Sequence, residues 1–223
     1  DMVDMKDTSD PLNIMEGNPD LKNSINNKVY MYINNSRQRG ISQALNFSYG
    51  WTENDLVRGY RYDSESGVRT YKTYNVSGNN NLNLSYMLYG RLPGVMNKFI
   101  LNSSTAFTNS VYANMIGENS EPVKQKVRNT GVSETMNFIY DTDKITVGPN
   151  VYVYYRHTKS AAEMFDSFNA FDFSYGLTGN FRSDKGFGIG TEITMNSRRG
   201  YSQSEMNDNV LLWNAWGSYS MLK

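Results

Sequence analysis

The chain has no cysteine, which removes disulfides, thiolate metal centres and cysteine nucleophiles in one step. It has a single histidine, too few for an imidazole metal site with several ligands at set spacing. Charge is balanced, with 22 basic and 22 acidic residues, so no field is available to steer nucleic acid. No run approaches the ~18 apolar residues of a transmembrane helix. The first ten residues lack the basic start and apolar stretch of a secretory leader, so an exported protein would carry its leader upstream. The apolar fraction is 39%, below the roughly 45–50% usual for a conventional globular core.

Aromatics, in contrast, are abundant: 17 Tyr, 10 Phe and 3 Trp among 223 residues. Disorder pairs low hydrophobicity with few aromatics and a high net charge, and this chain has neither. A wall that is apolar on one face and wet on the other fits the composition. Tyrosine suits such a wall, having an apolar ring and a polar tip.

Period two dominates the sequence. Phe171, Phe173, Tyr175, Leu177, Gly179 and Phe181 alternate with Asp172, Ser174, Gly176, Thr178 and Asn180. After the turn at 182–185, Phe187, Ile189, Thr191, Ile193 and Met195 alternate with Gly188, Gly190, Glu192, Thr194 and Asn196. The same alternation sets Val132, Glu134, Met136, Phe138 and Tyr140 on one face, and Val147, Pro149, Val151, Val153 and Tyr155 beside them. Leu82–Leu88, Leu45–Trp51 and Leu211–Tyr219 repeat it. Alternation sustained over ten residues marks a strand with two chemically distinct faces.

The pattern predicts about nine long strands, near 27–35, 41–62, 68–90, 97–112, 123–141, 144–158, 167–181, 186–199 and 209–222, with 1–26 a loop leading into the first. Short turns are expected at 36–40, 91–96, 141–144 and 182–186, and longer polar loops at 113–122, 159–166 and 200–208. Short turns at one rim and long loops at the other is the plan of an outer-membrane barrel, whose tilted strands need ~9–11 residues. A soluble sandwich has strands of ~5–6 residues and a charged outer face. Here the polar face is mostly Asn, Ser, Thr and Gly. The expectation is therefore all-β: an up-and-down antiparallel transmembrane β-barrel, partial, occupying 1–223 as one domain.

Two stretches carry a resemblance. Asp10-Pro11-Leu12-Asn13-Ile14-Met15-Glu16-Gly17-Asn18-Pro19-Asp20-Leu21-Lys22 resembles the Gly-Asn-Pro-x-Leu-Lys segment before a barrel strand in TonB-dependent outer-membrane receptors. Ser197-Arg198-Arg199-Gly200-Tyr201-Ser202, Met206-Asn207, Trp213-Asn214-Ala215 and Met221-Leu222-Lys223 are similar to the closing section of the outer-membrane β-barrel family of TonB-dependent receptor-like proteins of the Bacteroidetes type. Asp55-Leu56-Val57 and 63–78 fall where that family has one long hairpin. The resemblance implies a strand set from a larger receptor-like protein of a Gram-negative cell outer membrane, cut at both ends. It implies outer-membrane lipid, an N-terminal plug domain, TonB and a surface lipoprotein as partners, no nucleic acid, and uptake of a bulky nutrient. A surface barrel with an anchoring role, or a soluble β-rich adhesin or binding domain, are the alternatives.

No catalytic, cofactor-binding or metal-binding residue is expected, and no enzyme. His157, beside Arg156 and Lys159, reads as a solvated loop residue. Asp172 and Glu192 belong to the polar face of adjacent strands and are expected to pair with arginines or contact a plug, with cation binding or substrate guidance as the alternative. Glu134 falls on the apolar face, where a carboxylate is costly, so it is expected high on its strand or at a register error. Gly186, Gly188 and Gly190 lie within a strand pattern with no helix following, which fails the context of a phosphate loop. The triplets at Asn46, Asn75 and Asn83 read as polar-face residues rather than glycan acceptors. Trp51, Tyr140, Tyr155, Phe181, Phe187 and Trp213 are expected near strand ends as a girdle. Arg198, Arg199 and Tyr201 open an outer loop, where solvation is the favoured reading and contact with ligand or lipopolysaccharide the alternative.

Overall fold

The computed structural model describes residues 5–38, 40–160 and 167–220. Among these there is no α-helix, and thirteen strands join in one sheet that does not close on itself. Nine long strands form an antiparallel meander: β3 (Ile25–Asn35), β4 (Ile41–Glu53), β7 (Asn79–Arg91), β8 (Phe99–Glu118), β9 (Val123–Asp141), β10 (Ile145–Ser160), β11 (Phe168–Arg182), β12 (Phe187–Arg199) and β13 (Asn209–Tyr219). Four short strands, β1 (Lys6–Asp7), β2 (Asn13–Glu16), β5 (Asp55–Tyr62) and β6 (Arg69–Val76), build an annex beside the upper end of β8. Here "upper" is the end bearing the β5–β6 hairpin and the 200–208 loop.

The predicted strands 41–62 and 68–90 are each broken in two, at Asn54 and at Ser77-Gly78. Asn54 and Gly78 both take left-handed backbone, φ 51° and 97°, which asparagine and glycine tolerate best. The two arms then exchange neighbours. Below the break β7 lies between β4 and β8, whereas above it β5 lies between β6 and β8. The β5–β8 and β2–β6 pairings are parallel, so the sheet is mixed rather than purely up-and-down. Asn79 clasps the crossing: its amide donates to Asp55 Oδ2 at 2.7 Å and its carbonyl oxygen accepts from the Ala113 amide at 2.8 Å.

Other expectations are corrected at the upper end. The loop expected at 113–122 shrinks to 119–122, because 113–118 remains in β8, most of it paired with β9. His157 lies within β10 rather than in a loop. The expected loop at 159–166 falls largely outside the described residues. The segment before β3 contains β1 and β2 rather than loop alone, and β2 docks along β6.

Register places like with like. Leu177 of β11 faces Pro149 of β10 and Ile193 of β12, which in turn faces Trp213 of β13. On the other face Asn150, Gly176 and Thr194 are aligned. Directly opposite residues share a face, so one apolar face runs unbroken from Met31 on β3 through Phe47, Leu84 and Phe107 to Val132 on β9. Among the described residues nothing packs on it. Tyr175 is 55% exposed and Trp213 is 73% exposed. Among the described residues the buried hydrophobic side chains are Ala44, Val76, Val111, Ala113 and Ala170, all small.

Candidate functional site

The polar face carries an elaborate side-chain cluster at the upper ends of β10, β11 and β12. Period two puts Tyr154, Arg156, Asp172 and Arg198 on that face. Register makes Tyr154 the direct neighbour of Asp172, and Asp172 the neighbour of Arg198. The β12–β13 connection then brings Tyr201 back over them. Gly200 turns the chain in left-handed backbone, and Asn207 ties the loop to itself through the Tyr201 amide and carbonyl.

Tyr201 is the keystone. Its phenol donates to both carboxylate oxygens of Asp172, at 2.9 and 2.8 Å, and accepts from Arg156 Nη2 at 3.3 Å. The Arg156 guanidinium lies 5.8–6.0 Å from the ring centres of Tyr154, Phe168 and Tyr201. Such contacts each contribute ~0.5–1 kcal/mol at partly exposed sites. Arg156 Nε is buried and has no hydrogen-bond partner. Burial raises the Tyr201 pKa above its ordinary value, and the bond to Asp172 raises it further. The cluster can latch the 200–208 loop onto the sheet and present a caged guanidinium to an anionic group.

Sequence reasoning read Arg198, Arg199 and Tyr201 as one solvated loop opening, and the structure separates them. Tyr201 turns onto the polar face, and Arg198 belongs to that face opposite Asp172. Arg199 lies on the apolar face opposite Phe171, donating to the carbonyls of Arg198 and Asp208 and to Asn209 Oδ1. Asp172 does meet an arginine, but through the Tyr201 hydroxyl. Glu192 faces Thr178 and Asn214, six residues along β12 from the partner of Asp172, roughly 20 Å away, so the two carboxylates form no pair.

The remaining candidates scatter. His157 Nδ1 lies 2.8 Å from Asn169 Oδ1, which also accepts from Tyr155 Oη, on the apolar-face side of β10. Glu134 is in register within the apolar face, flanked by Val132 and Met136, so neither a high position nor a register error explains it. Ser103 Oγ donates to Glu134 Oε1 at 2.7 Å, and Thr105 Oγ1 to Glu134 Oε2. Trp51 and Tyr155 stand toward upper ends, and Tyr140, Phe181 and Phe187 at lower ends. Trp213 is the exception, mid-face opposite Ile193, with Nε1 donating to Thr191 Oγ1 at 2.9 Å. Gly188 and Gly190 lie on the polar face, where Trp216 covers Gly190 so closely that a Cβ would collide with its ring. Among the described residues no three His, Asp or Glu side chains are grouped to hold a metal ion.

Comparisons with family models, with curated proteins and with solved structures found no match.

Proposed function

We propose that this chain is part of the wall of a bacterial outer-membrane β-barrel and serves TonB-driven uptake of a bulky nutrient. The observation that carries the membrane reading is the apolar face that spans nine strands with none of the described residues packed on it. Leaving one large apolar side chain in water forfeits about 1.5–3 kcal/mol. Over a face bearing Phe47, Leu84, Phe107, Val151, Tyr175, Leu177, Ile193 and Trp213, the loss exceeds the ~5–15 kcal/mol by which domains are stable. Lipid covers such a face at no cost, and the opposite face of Asn, Ser, Thr and Gly suits a water-filled interior.

Two further observations agree. Long strands return through short turns at the lower end, while the β5–β6 hairpin and the 200–208 loop rise at the upper end, which is then the outward one. The two edges of the meander, β3 and β13, each have a single neighbour among the described strands. In lipid an unpaired edge costs several kcal/mol per orphaned backbone group, so further strands must meet them. Uptake, with TonB and a plug as partners, rests on the resemblance in the Gly17-Asn18-Pro19 and Ser197–Ser202 stretches. The Arg156–Tyr201 cluster is then a wall element facing the passage.

The test is to express the full-length protein in a Gram-negative host with and without TonB. Outer-membrane fractionation with heat-modifiable mobility supports the barrel; recovery as a soluble, cooperatively melting monomer would sink it. Growth on the transported nutrient must vanish without TonB, and unchanged growth leaves an anchoring barrel.

A further inference from the structure

The cluster beneath Tyr201 holds more positive charge than it uses. Arg198 is the direct cross-strand neighbour of Asp172, and Arg156 stands on the strand to its other side, two residues higher. An opposed pair of opposite charge on neighbouring strands ordinarily closes, for ~0.2–1 kcal/mol. Here it stays open. The ion pairs of the described residues, Lys6–Glu16, Arg61–Glu121, Arg91–Asp141 and Lys144–Asp184, include neither arginine, nor Asp172, nor Glu205 or Asp208 of the loop above. The Asp172 carboxylate is taken instead by the Tyr201 phenol, on both oxygens.

Both guanidiniums therefore keep unspent donors. Arg156 gives one bond, from Nη2 to Tyr201 Oη at 3.3 Å, and among the described residues nothing accepts from its Nη1. Arg198 is exposed, and its guanidinium donates to no described residue, whereas its backbone amide is bound to the Asp208 carbonyl. The two side chains converge. Their Cα atoms lie two strands apart and two residues offset, roughly 12 Å, and both charges act on the Tyr201 phenol between them. The rings of Tyr154, Phe168 and Tyr201 surround Arg156. An arginine held in this way has given up much of its rotamer freedom before a ligand arrives, so binding costs less ordering.

Charge and shape select the ligand. Two guanidiniums against one carboxylate leave a single positive charge, which a monoanion neutralises and a dianion overshoots. The arginine fork matches a planar carboxylate in particular. From this we infer that Arg156 and Arg198 together bind one carboxylate group of the nutrient at the outward end of the passage. The inference rests on the uptake reading above and adds a substrate class to it. The ligand carboxylate accepts from Arg156 Nη1 and from the Arg198 guanidinium. Tyr201 keeps Nη2 and Asp172, so the 200–208 loop stays latched, and Tyr201 acts as a positioning residue.

The experiment uses the full-length protein in detergent, with arginines labelled by phenylglyoxal and read residue by residue by peptide mass spectrometry. The probe is sodium acetate, set against sodium chloride and inorganic phosphate at equal ionic strength and about pH 8, where phosphate is largely dianionic. Acetate should protect Arg156 and Arg198 over one shared concentration range and leave Arg128, exposed on the opposite face, labelled. Arg198→Gln, a change at an exposed position, should weaken protection of Arg156 by about tenfold, the worth of one charge-assisted hydrogen bond. In TonB-dependent growth the same variant should need about tenfold more nutrient for half-maximal rate, with the maximal rate kept. Wild-type labelling stands by itself should the variant fail to fold. Glu163 and Asp166 follow β10 in the chain, outside the described residues. Protection gained only in a Glu163→Gln/Asp166→Asn variant would mean that the chain's own carboxylate fills the site. That result, tighter protection by phosphate than by acetate, protection of one arginine alone, or unchanged growth of Arg198→Gln would overturn the inference and leave the barrel standing. Acetate protection in a protein recovered soluble overturns the barrel, and with it the nutrient as the source of the carboxylate.

Discussion

Ser103 of β8 donates its hydroxyl proton to Glu134 of β9 at 2.7 Å, within a face that is otherwise apolar. Thr105 serves the other carboxylate oxygen. The pairing of β8 with β9 sets Ser103 opposite Met136 and Thr105 opposite Glu134, so the three side chains cohere only in this register. A carboxylate facing hydrocarbon is destabilising even when two hydroxyls solvate it, though less so than a lysine or arginine. Glu134→Leu is expected to raise stability by ~1–2 kcal/mol in bilayers, because the freed hydroxyls can turn to their own strand's carbonyls. Unfolding in urea from phosphatidylcholine vesicles measures it. A loss of stability on that substitution would mean the face meets water or a polar partner.

Asn79 is the clasp of the strand crossing, so Asn79→Ala strands the Asp55 carboxylate and the Ala113 amide together. Leaving partners of this kind unpaired costs ~1–3 kcal/mol each. The loss should localise to the annex of β1, β2, β5 and β6, leaving the meander intact. Limited proteolysis should then show new cleavage near Ser77-Gly78 with unchanged cleavage elsewhere.

The Tyr201 latch has a pH sign. Its phenol is held neutral in the closed loop, its pKa raised first by burial and then by the Asp172 bond. The stabilisation is fully present below the ordinary tyrosine pKa of about 10 and is lost as pH rises through the raised value. Protease access to the 200–208 loop should therefore be constant from neutral pH up to about 10 and increase above it. Tyr201→Phe should open the loop at neutral pH and abolish the alkaline step. If Tyr201→Phe leaves access unchanged at every pH, the hydroxyl does not hold the loop.

Gly190 lies beneath the Trp216 ring, with the Asn180 amide on its other side. Gly190→Ala is expected to push the indole off the sheet at a cost of ~1–3 kcal/mol and to shift Trp fluorescence. Gly179→Ala, where a Cβ meets nothing nearer than 4.0 Å, is the control and should shift neither.

Much of the meander was legible because its cause is local. Alternation in 171–181 and 187–195 assigns each side chain to a face, and two neighbouring strands of matched pattern admit one register. The polar-face placement of Asp172, Glu192 and Gly190 follows from parity alone. The crossing was not legible: Val57, Tyr60 and Tyr74 continue strand composition straight through, and Asn54-Asp55 and Ser77-Gly78 carry turn chemistry no more conspicuous than that of Gly50, Gly59 and Asn79-Asn80-Asn81 in the same runs. Reading both pairs as backbone breaks at matching positions of one hairpin would have found it. The Tyr201–Asp172 bond links residues 29 apart through a loop whose path no local pattern encodes. Glu134 was flagged correctly as anomalous, and aligning Ser103 and Thr105 opposite it would have supplied the explanation.

The exchange of neighbours at Asn54 and Gly78 also imposes a chronology on assembly. The β7–β8 and β5–β6 hairpins are local and can each form early, since short loops cost little to close. Docking β5 on β8 joins Tyr60 to Ile116, a far longer span whose closure costs more chain entropy than either hairpin. On loop-closure entropy the annex is expected to dock after the meander has formed. The crossing acts as a clock in the chain, separating an early meander from a late cap.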